Sequence, residues 1–155
     1  MLSRLATPIA IAGALVMLAA AAMVAVSVSV RNLTDVALMG DYEIVQMATA
    51  IAAFAFLPYC QMRRGNILVD TFTARLPEGV RRGLDALWDV VYAAIVAIVA
   101  WQLMQGAIGT VKSNTVSMML GLPVGWAIGL CAVLAGFLSL ITLVGAWTRL
   151  KKGAG

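Results

Sequence analysis

Four long stretches of this chain carry no charged residue: Leu5 to Val30, Ile44 to Met62, Val90 to Val111, and Ser113 to Thr148. A helix needs about 20 predominantly apolar residues to cross a bilayer. Each stretch supplies them, and the last has residues left over for a loop before its helix. The pattern predicts spans over 7–30, 43–62, 88–111 and 123–148 within a single membrane domain, 1–155.

The connections carry shorter patterns. Between the first two spans, Leu33, Val36, Ala37 and Gly40 fall at helical spacing beside Asp35 and Asp41. Segment 32–41 therefore reads either as a short helix lying at the interface or as a plain solvated loop. In 67–76, Leu68, Phe72 and Leu76 recur every four residues, with Asp70, Thr73 and Arg75 on other faces. That segment is too short and too charged to span, and suits the headgroup layer. Pro77, Glu78 and Gly79 break it, and Trp88 follows as an interfacial anchor at the start of span three.

The spans have internal texture as well. Span one places Ala21, Ala25 and Ser29 on one face. Span two opens with Asp41 and Glu43 and closes with Pro58, Arg63 and Arg64. Acids at a helix N-terminus and bases past its C-terminus both favour the macrodipole, which accounts for Glu43 without a functional role. The same account covers Asp85 and Asp89 before span three. Pro123 suits the first turn of span four, where a missing amide costs nothing. Gly121, Gly125, Gly129 and Gly136, with Ala132, form one face of small side chains that allows close approach of another helix.

Charge adds orientation. Nine Lys and Arg residues lie on one side of the predicted spans: Arg4 in the N-terminus, Arg63, Arg64, Arg75, Arg81 and Arg82 in the middle connection, and Arg149, Lys151 and Lys152 in the tail. Only Arg31 and Lys112 lie on the other. Positive residues are retained on the cytoplasmic side, so an N-in, C-in chain is expected. The net charge of +4 is spent in loops, where it meets anionic lipid headgroups. It forms no basic patch for nucleic acid.

Absences exclude several functions. With no histidine in the chain, imidazole-ligated haem and the Glu-x-x-His di-iron site are unavailable. No cofactor or metal is expected. Cys60 and Cys131 differ in depth by roughly 10 Å or more, too far for a disulfide, and read as small buried residues. The first apolar run, 26 residues long, exceeds the 7–15 of a signal peptide, which favours a retained span. Asp70, Glu78, Asp85 and Asp89 match no metal or acid–base motif, so the chain does not read as an enzyme.

Three sequence pieces then combine. Gly40-Asp41-Tyr42-Glu43-Ile44-Val45 enters span two. Leu57-Pro58 leads to Arg63-Arg64-Gly65-Asn66-Ile67-Leu68-Val69-Asp70, and Leu76-Pro77 closes the amphipathic segment. With Leu120-Gly121-Leu122-Pro123 before span four, their order and spacing resemble the small membrane subunit of tripartite ATP-independent periplasmic (TRAP) transporters over nearly the whole chain. The motif positions are Glu43, Pro58, Arg63, Arg64, Asn66, Asp70, Pro77 and Pro123. Family members often have histidine where Asn66 stands. Asn66 keeps a hydrogen-bonding side chain but does not titrate near neutral pH, so no pH-sensing role carries over.

The resemblance implies a bacterial cytoplasmic (inner) membrane protein that pairs with a large permease subunit. That subunit binds substrate and coupling ions, usually sodium, and a periplasmic substrate-binding protein delivers organic acids to it. The small subunit is then part of a static scaffold, with interfacial segments bracing it among membrane lipids. The fold expected is all-α and integral to the membrane, with four transmembrane helices and short amphipathic segments. The rival readings are a self-sufficient four-helix exporter, which needs a carboxylate in mid-membrane where this chain has none, and a small membrane enzyme.

Overall fold

A computed structural model describes residues 2–35, 40–63 and 77–152. Within them the chain forms four helices: α1 (Leu2–Thr34), α2 (Asp41–Met62), α3 (Glu78–Lys112) and α4 (Gly125–Lys152). All four are long and apolar enough to cross a membrane. At 1.5 Å per residue, α2 is about 33 Å long and matches a hydrocarbon layer of about 30 Å. The other three overshoot it. Arg31 does not end α1, which continues to Thr34. Nor does Pro58 close α2: it is buried inside the helix, which runs four residues further. Helical prolines are tolerated in membranes because neighbouring groups satisfy the carbonyl they leave free.

Two helical hairpins make the core. α1 packs on α2 and α3 packs on α4, the latter contact being the most extensive, and α2 joins the hairpins by packing on α4. The main contacts thus run α1–α2–α4–α3. Burial follows this order: 44% of the apolar window of α4 is buried, against 11% to 17% for the other three helices. α4 stands out because its seam with α3 is the most extensive and α2 packs on it as well.

The seams are lined with small residues at seven-residue intervals. On α1 the buried positions are Ala6, Gly13, Ala20 and Ser27, and on α3 they are Ala86, Ala93 and Ala107. A seven-residue repeat keeps one stripe facing its partner along a helix pair that supercoils gently, and side chains this small bring backbones close. A Cβ added at Gly13 would sit 2.8 Å from that of Ala55. The face of Ala21, Ala25 and Ser29 is exposed, because the seven-residue stripe and not the four-residue one meets α2. Ser139, buried on α4, donates to the carbonyl of Ala93 across the α3–α4 seam at 2.9 Å.

The described parts of the connections have local causes. Pro77 sits at the N-cap of α3 in an extended conformation, and its carbonyl accepts from the Val80 amide at 3.0 Å. Past α3, Asn114 takes a left-handed conformation that turns the chain toward α4. Pro123 lies two residues ahead of α4 and forms an isolated bridge with Val116. It is therefore outside the helix and not in its first turn. The bridge closes a tight loop, and that loop is where α2 begins.

Candidate functional site

The motif residues entering α2 and those preceding α4 come together at one end of the molecule. Glu43 lies in the first turn of α2. One carboxylate oxygen, Oε2, accepts from Ser117 Oγ at 2.7 Å and from the Leu120 amide at 2.9 Å. The other, Oε1, accepts from the Met119 amide at 2.8 Å. Hydrogen bonds to an ionised acceptor are the strong ones, so these three latch the 117–122 loop onto α2. Ser117 works twice, since its Oγ also accepts from the Leu122 amide at 3.1 Å. The loop is tightened by Ser117 N donating to the Leu122 carbonyl and by Gly121 N donating to the Ser117 carbonyl.

Gly40 and Gly121 are required by backbone geometry. Gly40 has φ of +88° as the N-cap of α2, and a Cβ there would run into the side chain of Leu120. Gly121 has φ of +64°, where side chains are strained. One residue on from Gly40, Asp41 ties α1 to the same corner. Its carboxylate accepts a short hydrogen bond from the buried Ser27 hydroxyl and another from the Tyr42 amide at 2.7 Å. Two helices and a loop are thereby anchored through two carboxylates.

Beside the latch lies an apolar groove of about 800 Å³ between α2, α3, α4 and the loop. Met47, Phe54, Leu103, Ile128 and Cys131 contribute to its walls, and Tyr42, Glu43 and Gln46 to its polar end. The loop also exposes Met118 fully and Met119 largely. This is a surface for apolar contact, with no cluster of catalytic groups.

Of the remaining motif residues, Arg63 and Pro77 lie at the other end. Arg63 donates from Nε to the Tyr59 hydroxyl at 3.2 Å, and its guanidinium carbon stands 5.5 Å from that ring's centre. Trp88 is exposed, ten residues into α3. Asp89, beside it, is half-buried and engaged within the chain. Arg64, Asn66, Leu68, Asp70, Phe72 and Leu76 lie outside the described residues, as does the whole 67–76 segment.

Of the expected small-residue face, Gly125 and Gly129 lie against α3 and Ala132 is buried, while Gly136 meets nothing within the described chain. Gly125 is buried, and a Cβ there would lie 2.6 Å from Val111 Cγ2 and 3.3 Å from the Ala107 carbonyl oxygen. At Gly129 the nearest atom would be Ala107 Cβ at 3.8 Å, and at Gly136 nothing lies within 4 Å. Gly121 is not in the helix at all. Cys60 is also exposed and only Cys131 is buried, and both are free thiols.

Sequence reasoning missed Ser27 and Ser117, and it assigned Glu43 to the macrodipole alone. The signal for Glu43 was present in two separate motifs, Gly40 to Glu43 and Leu120 to Pro123. Nothing along the chain says that they touch.

The family model of the DctQ component of tripartite ATP-independent periplasmic transporters matches residues 20–152. The chain belongs to this family. No curated protein and no solved structure matches it. As a DctQ component, the chain is the small permease subunit of a TRAP transporter and a multi-pass membrane protein. The matched region takes in both halves of the Glu43 latch and all of α2, α3 and α4.

Proposed function

We propose that this DctQ component is a static scaffold for the large permease subunit of a secondary transporter, and that it holds no substrate itself. The observation that supports this most directly is the use made of Glu43. It is the carboxylate nearest the apolar groove, and both its oxygens are occupied by the chain's own loop. A proton-coupled exporter needs an embedded carboxylate free to exchange its proton. A site for an organic anion needs cationic side chains or broken-helix N-termini at mid-membrane, and the run from Val90 to Val111 and that from Ser113 to Thr148 contain no charge.

In this reading the complex imports organic acids with an ion gradient, usually of sodium, across a bacterial inner membrane. A periplasmic binding protein delivers the substrate to the large subunit. The termini and the middle connection face the cytoplasm, and the Glu43 latch faces the periplasm. Tyr42 and Trp126 are exposed near the latch end, and Trp147 and Trp88 toward the other. Trp126 and Trp147 are 21 residues apart, or about 31 Å along α4, which spaces them as two interfacial anchors. Leu68, Phe72 and Leu76 brace the cytoplasmic side.

The experiment is reconstitution of the purified chain alone into proteoliposomes under a sodium or proton gradient. No flux of labelled organic acid is expected. Movement of substrate by the isolated chain contradicts the scaffold reading and favours the exporter.

A further inference from the structure

The side of α3 that faces away from α4 carries two glutamines. Ile98, Gln102, Gln105 and Gly109 follow at steps of four, three and four, which places them within about 60° of arc on a helix. Ala86, Ala93 and Ala107, which meet α4, occupy the opposite side. All four residues of the outward stripe are exposed. Neither glutamine makes a hydrogen bond within the described chain. An added Cβ at Gly106 or Gly109 meets nothing within 4 Å, so a second backbone has room to approach.

Depth makes this stripe informative. Gln102 and Gln105 lie ten and seven residues before Lys112, about 15 and 10 Å from that end of α3. A glutamine side chain is too short to carry its amide from there to the headgroups. Lipid tails offer no hydrogen bond, and an amide left unpaired in hydrocarbon is costly. A protein segment with its own donors and acceptors removes that cost, whereas lipid does not.

We propose that Ile98, Gln102, Gln105 and Gly109 form the seam on which a transmembrane helix of the large permease subunit docks. That helix presents hydroxyl or amide side chains opposite the two glutamines and small residues opposite Gly109. The stripe has the spacing of a packed helix pair, and polar side chains hydrogen-bonding across such a pair hold membrane helices together. This inference rests on the scaffold reading and adds the surface through which the scaffold works.

The test co-expresses both subunits with a photoreactive amino acid at Ile98, and with one at Val133 on α4 as an exposed control. A cross-link from Ile98 to the large subunit, stronger than that from Val133, is the expected result. In a second arm, Gln102→Leu with Gln105→Leu should lower recovery of the large subunit about five- to tenfold, the worth of two interhelical hydrogen bonds. The melting temperature of the isolated small subunit should not fall, since neither side chain is bonded within it. Cross-links from Ile98 to lipid or to a second copy only, with the wild-type complex still co-purifying, overturn the seam and leave the scaffold standing. Undiminished recovery with both leucines overturns it too. Failure of the wild-type subunits to co-purify at all overturns the scaffold reading itself.

Discussion

Both oxygens of Glu43 face hydrogen-bond donors, and this makes the carboxylate hard to replace. A glutamine has the same shape but turns one oxygen into an NH₂ group that would point at an N–H or O–H donor. Glu43→Gln is therefore expected to release one side of the 117–122 loop. The amides of Met119 and Leu120 should exchange faster with solvent deuterium, while amides in the middle of α4 keep their protection. Unchanged exchange at Met119 and Leu120 would mean that the loop is held by Gly40 against Leu120 instead. Gly40→Ala separates these contributions, because it strains the backbone and displaces Leu120 without touching the carboxylate. At this scale each motif was legible as a fragment, but Glu43 and Ser117 are 74 residues apart in sequence. Their pairing follows from how α2 and α4 align, which no local pattern encodes.

Among the helices, seam positions decide which substitutions matter. Gly13 and Gly125 both face a neighbour closer than a Cβ tolerates. Gly13→Leu and Gly125→Leu should each cost about 1–3 kcal/mol by overpacking, read as a lowered melting temperature of the purified chain. Gly136→Leu, with open space around it, should leave that temperature unchanged. Equal losses at Gly125 and Gly136 would contradict the contact geometry described for α4. That four helices exist, though not the charged start of α3 from Glu78, was readable from charge-free length alone, because a bilayer demands about 20 apolar residues whatever the packing. The faces were not. Alanine, glycine and serine are so common here that four-residue and seven-residue stripes coexist on one helix, and only contact with a partner selects between them. The same ambiguity hid the outward glutamines of α3 among apolar neighbours.

As a whole, a scaffold subunit of this kind has a fixed orientation and a division of labour with its partner. Single cysteines at Arg75, Thr115 and Lys152, with Cys60 and Cys131 replaced, report the orientation. An impermeant thiol reagent should label Thr115→Cys in intact cells and the other two only after lysis. Labelling at Arg75→Cys from outside would reverse the chain. If 67–76 braces the cytoplasmic face, Phe72→Asp places a charge among its apolar residues and opposes anionic lipid. Weaker assembly with the large subunit is expected, with the four spans still inserted. Undisturbed assembly and uptake would reduce that segment to a tether.

The division of labour is tested most directly by uptake in proteoliposomes that contain the large permease subunit and its binding protein, with and without this chain. Under an ion gradient, uptake of an organic acid should be weak or absent without the chain and restored when it is added. Full uptake by the large subunit and binding protein alone would contradict the claim that this chain is the scaffold on which transport depends.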